Sequence, residues 1–201
     1  GGEPDRHSNF DIYLVEPRAG ATERRLTSFD GADNDPDLES PISWSPDGRQ
    51  LAFVQGGEDK WIYYAPNQLA IVDVATGRTR IPAPIDRWFT QPRWSPDGRS
   101  VLALIEQSRV INLSRIEVAS GRVTPLTTGL RHDAGFALSK QGRIVVLGGD
   151  DVTPYQLAAL EQGGLRPLGS HNEWLAQKKL VRFENISFRS ADGTSIDGFV
   201  V

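Results

Sequence analysis

Cysteine and methionine are both missing from the 201 residues of the chain. Without cysteine, the chain can form neither a disulfide framework nor a thiolate metal site. This absence fits the cytoplasm and the periplasm equally well. Methionine is missing even at position 1, where the chain opens on Gly1-Gly2. We therefore expect the sequence to be a piece of a longer protein.

Long apolar runs and an excess of basic residues are missing as well. No run approaches the roughly 18 apolar residues of a membrane helix, and no targeting segment is recognised, so the compartment stays open. The formal net charge is −4 and the pI is near 5.4, with Lys and Arg scattered along the chain. From this charge pattern we expect that the chain binds no nucleic acid and no membrane surface.

The ligand patterns of metal sites are also absent. One loop is acidic, but it lacks the glycine and the final glutamate of an EF-hand, so we interpret it as a solvated turn; its acidic residues are Asp33, Asp35, Asp37 and Glu39. The histidines lie far apart without a carboxylate at ligand spacing, which is typical of surface or loop residues; they are His7, His132 and His171. We predict no metal and no other cofactor.

The most informative feature that is present is a repeat. The hexapeptide WSPDGR begins at Trp44 and again at Trp94, 50 positions later, and a weaker copy, LSKQGR, begins at Leu138. A second element with a Gly-containing turn recurs between the copies, beginning at Ile12, Leu69, Leu113 and Gln156. A fixed period of this length is typical of a structural unit that cannot bury its faces alone.

The chemistry of the repeat predicts β-hairpins. Proline presets one backbone angle, and Asp-Gly tolerates the positive φ that a tight turn needs. The apolar runs that follow are continuous, at 51–54, 101–105 and 144–147, which indicates strands covered on both faces. The best helix candidate, YQLAALEQGG (155–164), has the register of the other hairpins and is interpreted as strand. Four strands in 44 to 50 residues predict an all-β fold, a partial β-propeller of four-stranded blades.

The predicted domain organisation is a propeller segment at 1–172 and a truncated segment at 173–201. The first holds an outer hairpin at 10–27 and blades at about 42–83, 92–127 and 135–169. These three and a half blades are too few to close a ring of about four to eight. We expect the other blades to come from the same protein or from a second chain. Trp44 and Trp94 share one blade position and are predicted to lie in the core between blades.

Two segments of the sequence resemble known protein families. The TolB-type propeller repeat resembles the blade sequence WSPDGR followed by IVDVATGR (71–78). The second segment is VRFENISFRSADGTSIDGFVV (181–201). It resembles the junction at which serine peptidases of the prolyl oligopeptidase family enter their α/β-hydrolase domain. The acylaminoacyl-peptidase and dipeptidyl-peptidase-like branches are the most similar. The resemblance implies a propeller that restricts the access of peptides to a hydrolase active site and contributes to their binding.

The resemblance also implies that the catalytic Ser, Asp and His lie outside this chain. The nearest match to a nucleophile elbow, Gly193-Thr194-Ser195-Ile196-Asp197, has aspartate at its fifth position and lies in a predicted hairpin. We therefore predict no catalytic residue here, and no hydrolysis by this chain alone.

The candidate binding residues lie on the long connections, which a propeller gathers on one rim. They are aromatic residues and an arginine that can hold peptide side chains or a carboxylate: Trp61, Tyr63, Tyr64, Arg87, Trp88 and Phe89. A plainer interpretation is that they pack the loops against the blades or against another domain.

Two other functions remain open. A TolB-like propeller with no enzymatic activity explains the repeats, with the long connections binding a partner protein. A half propeller in which two copies complete one ring is the third possibility, and it predicts a homo-oligomer.

Overall fold

The computed structural model describes residues 9–61, 64–107 and 109–200. Regular structure in these ranges is β-strand apart from three short 3-10 helices, which confirms the all-β prediction. The strands are β1 (Tyr13–Leu14), β2 (Arg24–Arg25), β3 (Gly31–Asp33), β4 (Ser43–Trp44), β5 (Gln50–Glu58), β6 (Gln68–Asp73), β7 (Thr79–Arg80), β8 (Trp88–Trp94), β9 (Ser100–Gln107), β10 (Val110–Glu117), β11 (Val123–Pro125), β12 (His132–Leu138), β13 (Ile144–Asp150), β14 (Thr153–Glu161), β15 (Gly164–Pro167), β16 (Glu184–Arg189) and β17 (Ser195–Val200). The 3-10 helices are Pro36–Leu38, Asp59–Trp61 and Glu173–Gln177.

The strands form a half blade, three blades and a separate hairpin. The half blade is β1 with β2, and blade 1 has the order β3-β5-β6-β7, with β4 beside β5 because residues 34–42 interrupt its inner strand. Blade 2 is β8 to β11 and blade 3 is β12 to β15. The C-terminal hairpin is β16 with β17, paired from Glu184 opposite Val200 to Arg189 opposite Ser195. The inner strands of the three blades begin at Gly31, Trp88 and His132, upstream of the predicted blade starts, because the hexapeptide turn ends the inner strand and does not begin it.

The hexapeptide forms the predicted tight turn. In blade 1, Gly48 has a φ of +70°, and the Asp47 carboxylate accepts hydrogen bonds from the Ser45 hydroxyl at 2.6 Å and the Arg49 amide at 3.1 Å. These bonds lower the pKa of Asp47, with the Ser45 bond contributing most. The turn is repeated in blade 2 with Asp97. It recurs in the C-terminal hairpin, where the Ser190 hydroxyl and the Thr194 amide lower the pKa of Asp192 to about 2.

The core consists of three layers, one at each blade junction. Successive residues of one strand point to opposite junctions. In β9, Val101 and Ala103 pack toward blade 1, while Leu102 and Leu104 pack toward blade 3. This explains the continuous apolar runs, since both faces of the middle strands are covered.

The prediction that both repeat tryptophans lie in the core was half wrong. Trp94 is 7% exposed and packs between blades 1 and 2, but Trp44 is 52% exposed. The equivalent face of blade 1 meets only an outer hairpin, because the half blade has no inner strands to cover Trp44.

A buried threonine and aspartate six residues apart mark two of the three junctions. Thr27 precedes Asp33 and Thr127 precedes Asp133. Each threonine hydroxyl accepts a 2.9 Å hydrogen bond from a main-chain amide, that of Ile12 for Thr27 and that of Leu113 for Thr127. Burial of Asp33 corrects the interpretation of the acidic loop as a wholly solvated turn. The middle junction has Ala83 and Phe89 at these positions.

The two buried aspartates differ in charge compensation. Asp133 pairs with Arg131, with 2.6 Å between Oδ1 and the guanidinium. Burial raises the pKa of Asp33, only partly opposed by hydrogen bonds from Gln55 and Thr27. An acid whose pKa is higher in the folded than in the unfolded state stabilises the folded protein at low pH, where the acid is protonated. This contribution to the free energy of unfolding is lost as the pH rises through the folded-state pKa.

We expect Asp33→Asn to be more stable than the wild type at pH 7, because the amide removes the cost of a buried charge. The difference in stability between the variant and the wild type should shrink as the pH falls toward 3.8, the ordinary pKa of aspartate. At such pH the folded wild type takes up a proton on Asp33 more readily than the unfolded chain does, and the cost of the buried charge is removed. Chemical unfolding between pH 4 and 7 measures it. The matched variant Asp133→Asn should lose about 2–4 kcal/mol by leaving Arg131 unpaired. Equal destabilisation by both variants would contradict this account.

The exposure of the tryptophans gives a second prediction. Trp94→Ala should cost about 3–5 kcal/mol, as for other large aromatic residues removed from a core. Trp44→Ala should cost less than about 1 kcal/mol, because its side chain is half exposed. The midpoint of thermal unfolding measures both variants in this chain. A similar loss for the two would show that Trp44 is covered in solution.

Candidate functional site

The short turns of the blades lie together on one rim. In blade 1, the Arg49 carbonyl of the hexapeptide turn accepts a 2.9 Å hydrogen bond from the Val74 amide, which precedes the turn at Gly77. Blade 2 repeats this contact between Arg99 and Val118 at 3.1 Å. The other connections therefore lie on the opposite side, which we call the long-loop rim; its described residues are 59–61, 64–67, 81–87, 109, 126–131 and 151–152.

The structure brings two groups of the predicted site residues onto neighbouring parts of this rim. The Asn67 carbonyl accepts a 2.8 Å hydrogen bond from the Phe89 amide, and the Gln68 amide group donates to the Arg87 carbonyl at 3.1 Å. These bonds hold the connection that carries Trp61 and Tyr64 beside the start of β8. The aromatic residues are thus gathered from two connections that are about 25 positions apart in sequence.

The individual residues differ in exposure. Trp61 is 54% exposed with the Lys60 ammonium 5.4 Å from its ring centre, Tyr64 is 91% exposed and Trp88 is 39% exposed. The Arg87 guanidinium donates to the neighbouring carbonyl of Asp86. Tyr63 lies outside the described residues, as does His7.

Phe89 is placed differently from its neighbours. Its side chain is fully buried in the layer between blades 1 and 2, because alternate residues of β8 point to opposite sides. A peptide on the rim has no access to this ring, so we leave Phe89 out of the site. The accessible candidates are the exposed Trp61, Tyr64 and Trp88 and the partly exposed Arg87.

A second feature of this rim, which the sequence does not predict, is a cleft of about 310 Å³ between blades 2 and 3 and the C-terminal hairpin. The residues that matter most in its lining are Arg109, Leu130, His132, Tyr155, Phe183 and Phe199. The sequence signal was weak because these residues come from segments up to 90 positions apart. The histidine interpreted as a surface residue, His132, forms part of this cleft.

Aromatic contacts build two sides of the cleft. His132 and Tyr155 meet edge to face with 5.6 Å between ring centres, and Phe183 stacks on Phe199 at 5.0 Å. The first pair belongs to blade 3 and the second to the C-terminal hairpin and the residue that precedes it. The cleft therefore exists only where the hairpin lies against the rim.

Polar contacts hold the hairpin in this position. The Asp151 carboxylate accepts a 2.9 Å hydrogen bond from the Phe183 amide, and Arg109 donates to the Gly198 carbonyl. Asp150 lies 3.5 Å from the Arg182 guanidinium. Burial alone would raise the pKa of Asp150, but hydrogen bonds from Val152 and Thr153 and the charge of Arg182 together lower it.

Other kinds of site find little support in the described ranges. Within 9–61, 64–107 and 109–200, histidine, aspartate and glutamate form no group of three or more that could hold a metal ion. Among the same residues, no helix has the length and apolar character needed to cross a membrane.

No protein-family model matches the sequence. The chain is 26% identical over 132 residues to dipeptidyl-peptidase 5 of Porphyromonas gingivalis, a match that covers 65% of this chain and 18% of that protein. It is 39% identical over 62 residues to the uncharacterized peptidase YuxL of Bacillus subtilis, covering 31% of this chain and 9% of the relative. This chain therefore matches less than a fifth of the length of either peptidase.

Solved structures show the same architecture. The acylaminoacyl peptidase of Pyrococcus horikoshii matches with a TM-score of 0.70 and 21% identity, over 94% of this chain and 27% of that one. TolB of Acinetobacter baumannii matches with a TM-score of 0.61 and 19% identity, over 90% and 43%. The β-propeller domain of the Trilobed protease of Pyrococcus furiosus matches with a TM-score of 0.59 and 20% identity, over 81% and 44%. The fold is therefore that of a partial β-propeller, and the resemblance to peptidase and TolB propellers is confirmed.

Proposed function

We propose that this chain is the non-catalytic propeller portion of a serine peptidase of the prolyl oligopeptidase family. In this role it restricts the access of peptides to a hydrolase domain and helps to bind them. The observation that carries the proposal is the position of the C-terminal hairpin against the long-loop rim, with the Asp151–Phe183 and Arg109–Gly198 contacts. A domain that continues from this hairpin would cover that rim.

The sequence similarities support the same assignment. Two peptidases match this chain, one of them over 132 residues, and both are far longer than it. The proposed catalytic serine, aspartate and histidine belong to the remainder of the protein, with the serine in a Gly-x-Ser-x-Gly turn. The proposed partners are the remaining blades and the hydrolase domain of the same protein.

The first experiment is to express the natural protein that contains this chain and to measure its hydrolysis of peptides of increasing length. A gating propeller predicts that kcat/KM falls steeply once peptides exceed the size that the rim admits. Replacing the serine of the Gly-x-Ser-x-Gly turn by alanine should abolish hydrolysis. A protein without such a turn, or one that cleaves folded proteins as fast as short peptides, would contradict the proposal.

We expect Arg87→Ala and Trp88→Ala to raise KM about three- to tenfold with little change in kcat, because residues on the rim hold the peptide away from the reacting bond. Steady-state kinetics on a short peptide measure this. Ile85→Ala is the matched control, since Ile85 lies on the same connection and is 37% exposed, close to the 39% of Trp88. A fall in kcat alone, or equal effects of all three variants, would argue against peptide binding at this place.

A second function is favoured by the match to TolB, which covers 90% of this chain. In that case, the long-loop rim binds a partner protein and no peptide is cleaved. The hydrolysis experiment separates the two functions, because a TolB-like module has no activity to lose.

A further inference from the structure

We propose that the cleft between blades 2 and 3 and the C-terminal hairpin binds one bulky, uncharged side chain of a peptide, such as phenylalanine or leucine. This inference deepens the proposed function and depends on it for the identity of the ligand as a peptide.

Apolar groups supply much of the surface of the cleft. The two aromatic pairs, His132 with Tyr155 and Phe183 with Phe199, form two of its walls. Leu130, which is 58% exposed, and Val110 add aliphatic surface. Exposed aromatic and aliphatic groups that converge on one concave place are typical of ligand sites.

The charged groups of the cleft already have partners within the chain. Arg131 pairs with Asp133, Asp150 lies beside Arg182, Asp151 accepts from the Phe183 amide, and Arg109 donates to Gly198. A charged ligand would have to compete with these contacts. The electrostatic arrangement therefore favours an uncharged side chain, which gains free energy by leaving water and displaces no ion pair.

The size of the cleft suits about one residue of a ligand. Its volume is about 310 Å³, at the lower end of the range for ligand pockets. A cavity of about 150 Å³ already holds benzene in another protein. One aromatic or leucine side chain with its own main-chain atoms is thus a suitable occupant.

The cleft also lies on the same rim as Arg87 and Trp88, where the proposed function places the peptide. Its backbone carries one feature that is unusual for a non-glycine residue, because Arg109 has a φ of +73°. The tight hairpin connection between β9 and β10 accounts for this angle, since such turns need a positive φ. Here it accompanies the contact between Arg109 and the carbonyl of Gly198 that closes one side of the cleft.

The test measures, by calorimetry or NMR, the binding of N-acetyl-phenylalaninamide to the natural protein that contains this chain. We expect N-acetyl-alaninamide and N-acetyl-aspartamide to bind at least about tenfold more weakly, since they lack the apolar surface. Equal binding of the three amides would overturn the proposal.

Two variants place the binding in the cleft. Tyr155→Ala should weaken binding of the phenylalanine amide about fivefold or more, and Leu130→Trp should block it by filling the space. The matched control is Tyr13→Ala, which removes a tyrosine of similar exposure, 52% against 50% for Tyr155, from the half blade outside the cleft. Loss of binding with the control, or unchanged binding with both cleft variants, would overturn the proposal.

The same protein separates failure of this inference from failure of the proposed function. Binding of the phenylalanine amide that depends on Tyr155, in a protein that hydrolyses no peptide, would support the cleft and refute the peptidase assignment. The opposite result would be hydrolysis of peptides at the same rate in the wild type, Tyr155→Ala and Leu130→Trp, whichever side chain the peptide carries, with no detectable binding of the phenylalanine amide. That result would support the peptidase assignment and refute the proposed role of the cleft.

Discussion

Contact between the apolar faces of neighbouring blades is the interaction on which the rest of the structure depends. A four-stranded sheet has two faces, and here the middle strands place alternate residues into two different layers. Blade 2 is the best covered unit because blade 1 lies on one side and blade 3 on the other. The outer faces of the stack are less well covered, since Trp44 and Leu157 are each 52% exposed. Burial of a blade is therefore a property of its neighbours as much as of its own sequence.

The repeat fixes one rim and leaves the other free to vary. Hexapeptide turns and glycine turns hold each other through the Arg49–Val74 and Arg99–Val118 hydrogen bonds, and their side chains satisfy the turn backbone. The connections at the opposite ends of the strands differ in length and composition. A rigid scaffold with variable connections on one side is a common basis for binding sites. In this chain, both the aromatic group near Trp88 and the hairpin cleft lie there.

The candidate site could be predicted from the sequence only in part. Trp61, Tyr64 and Trp88 were proposed because aromatic residues on long connections stand out in the sequence, and the structure leaves them accessible. Phe89 follows Trp88 in the same motif but belongs to the core, since one step along a strand reverses the direction of the side chain. The cleft was missed because its walls come from blade 2, blade 3 and the hairpin. No local pattern signals that Phe183 and Tyr155 face one cavity.

The sequence by itself determined the all-β fold, the four-stranded unit and the turn chemistry, because these depend on local backbone preferences and on the alternation of apolar residues within one hairpin. It also contained the similarity to peptidase and TolB propellers. Tertiary structure decided which of two identical hexapeptides buries its tryptophan, and it brought Gln55 to the buried Asp33 from 22 positions away. It also decided where the C-terminal hairpin lies. These outcomes depend on contacts between segments that are distant in the chain, and such contacts are set by the packing of whole blades.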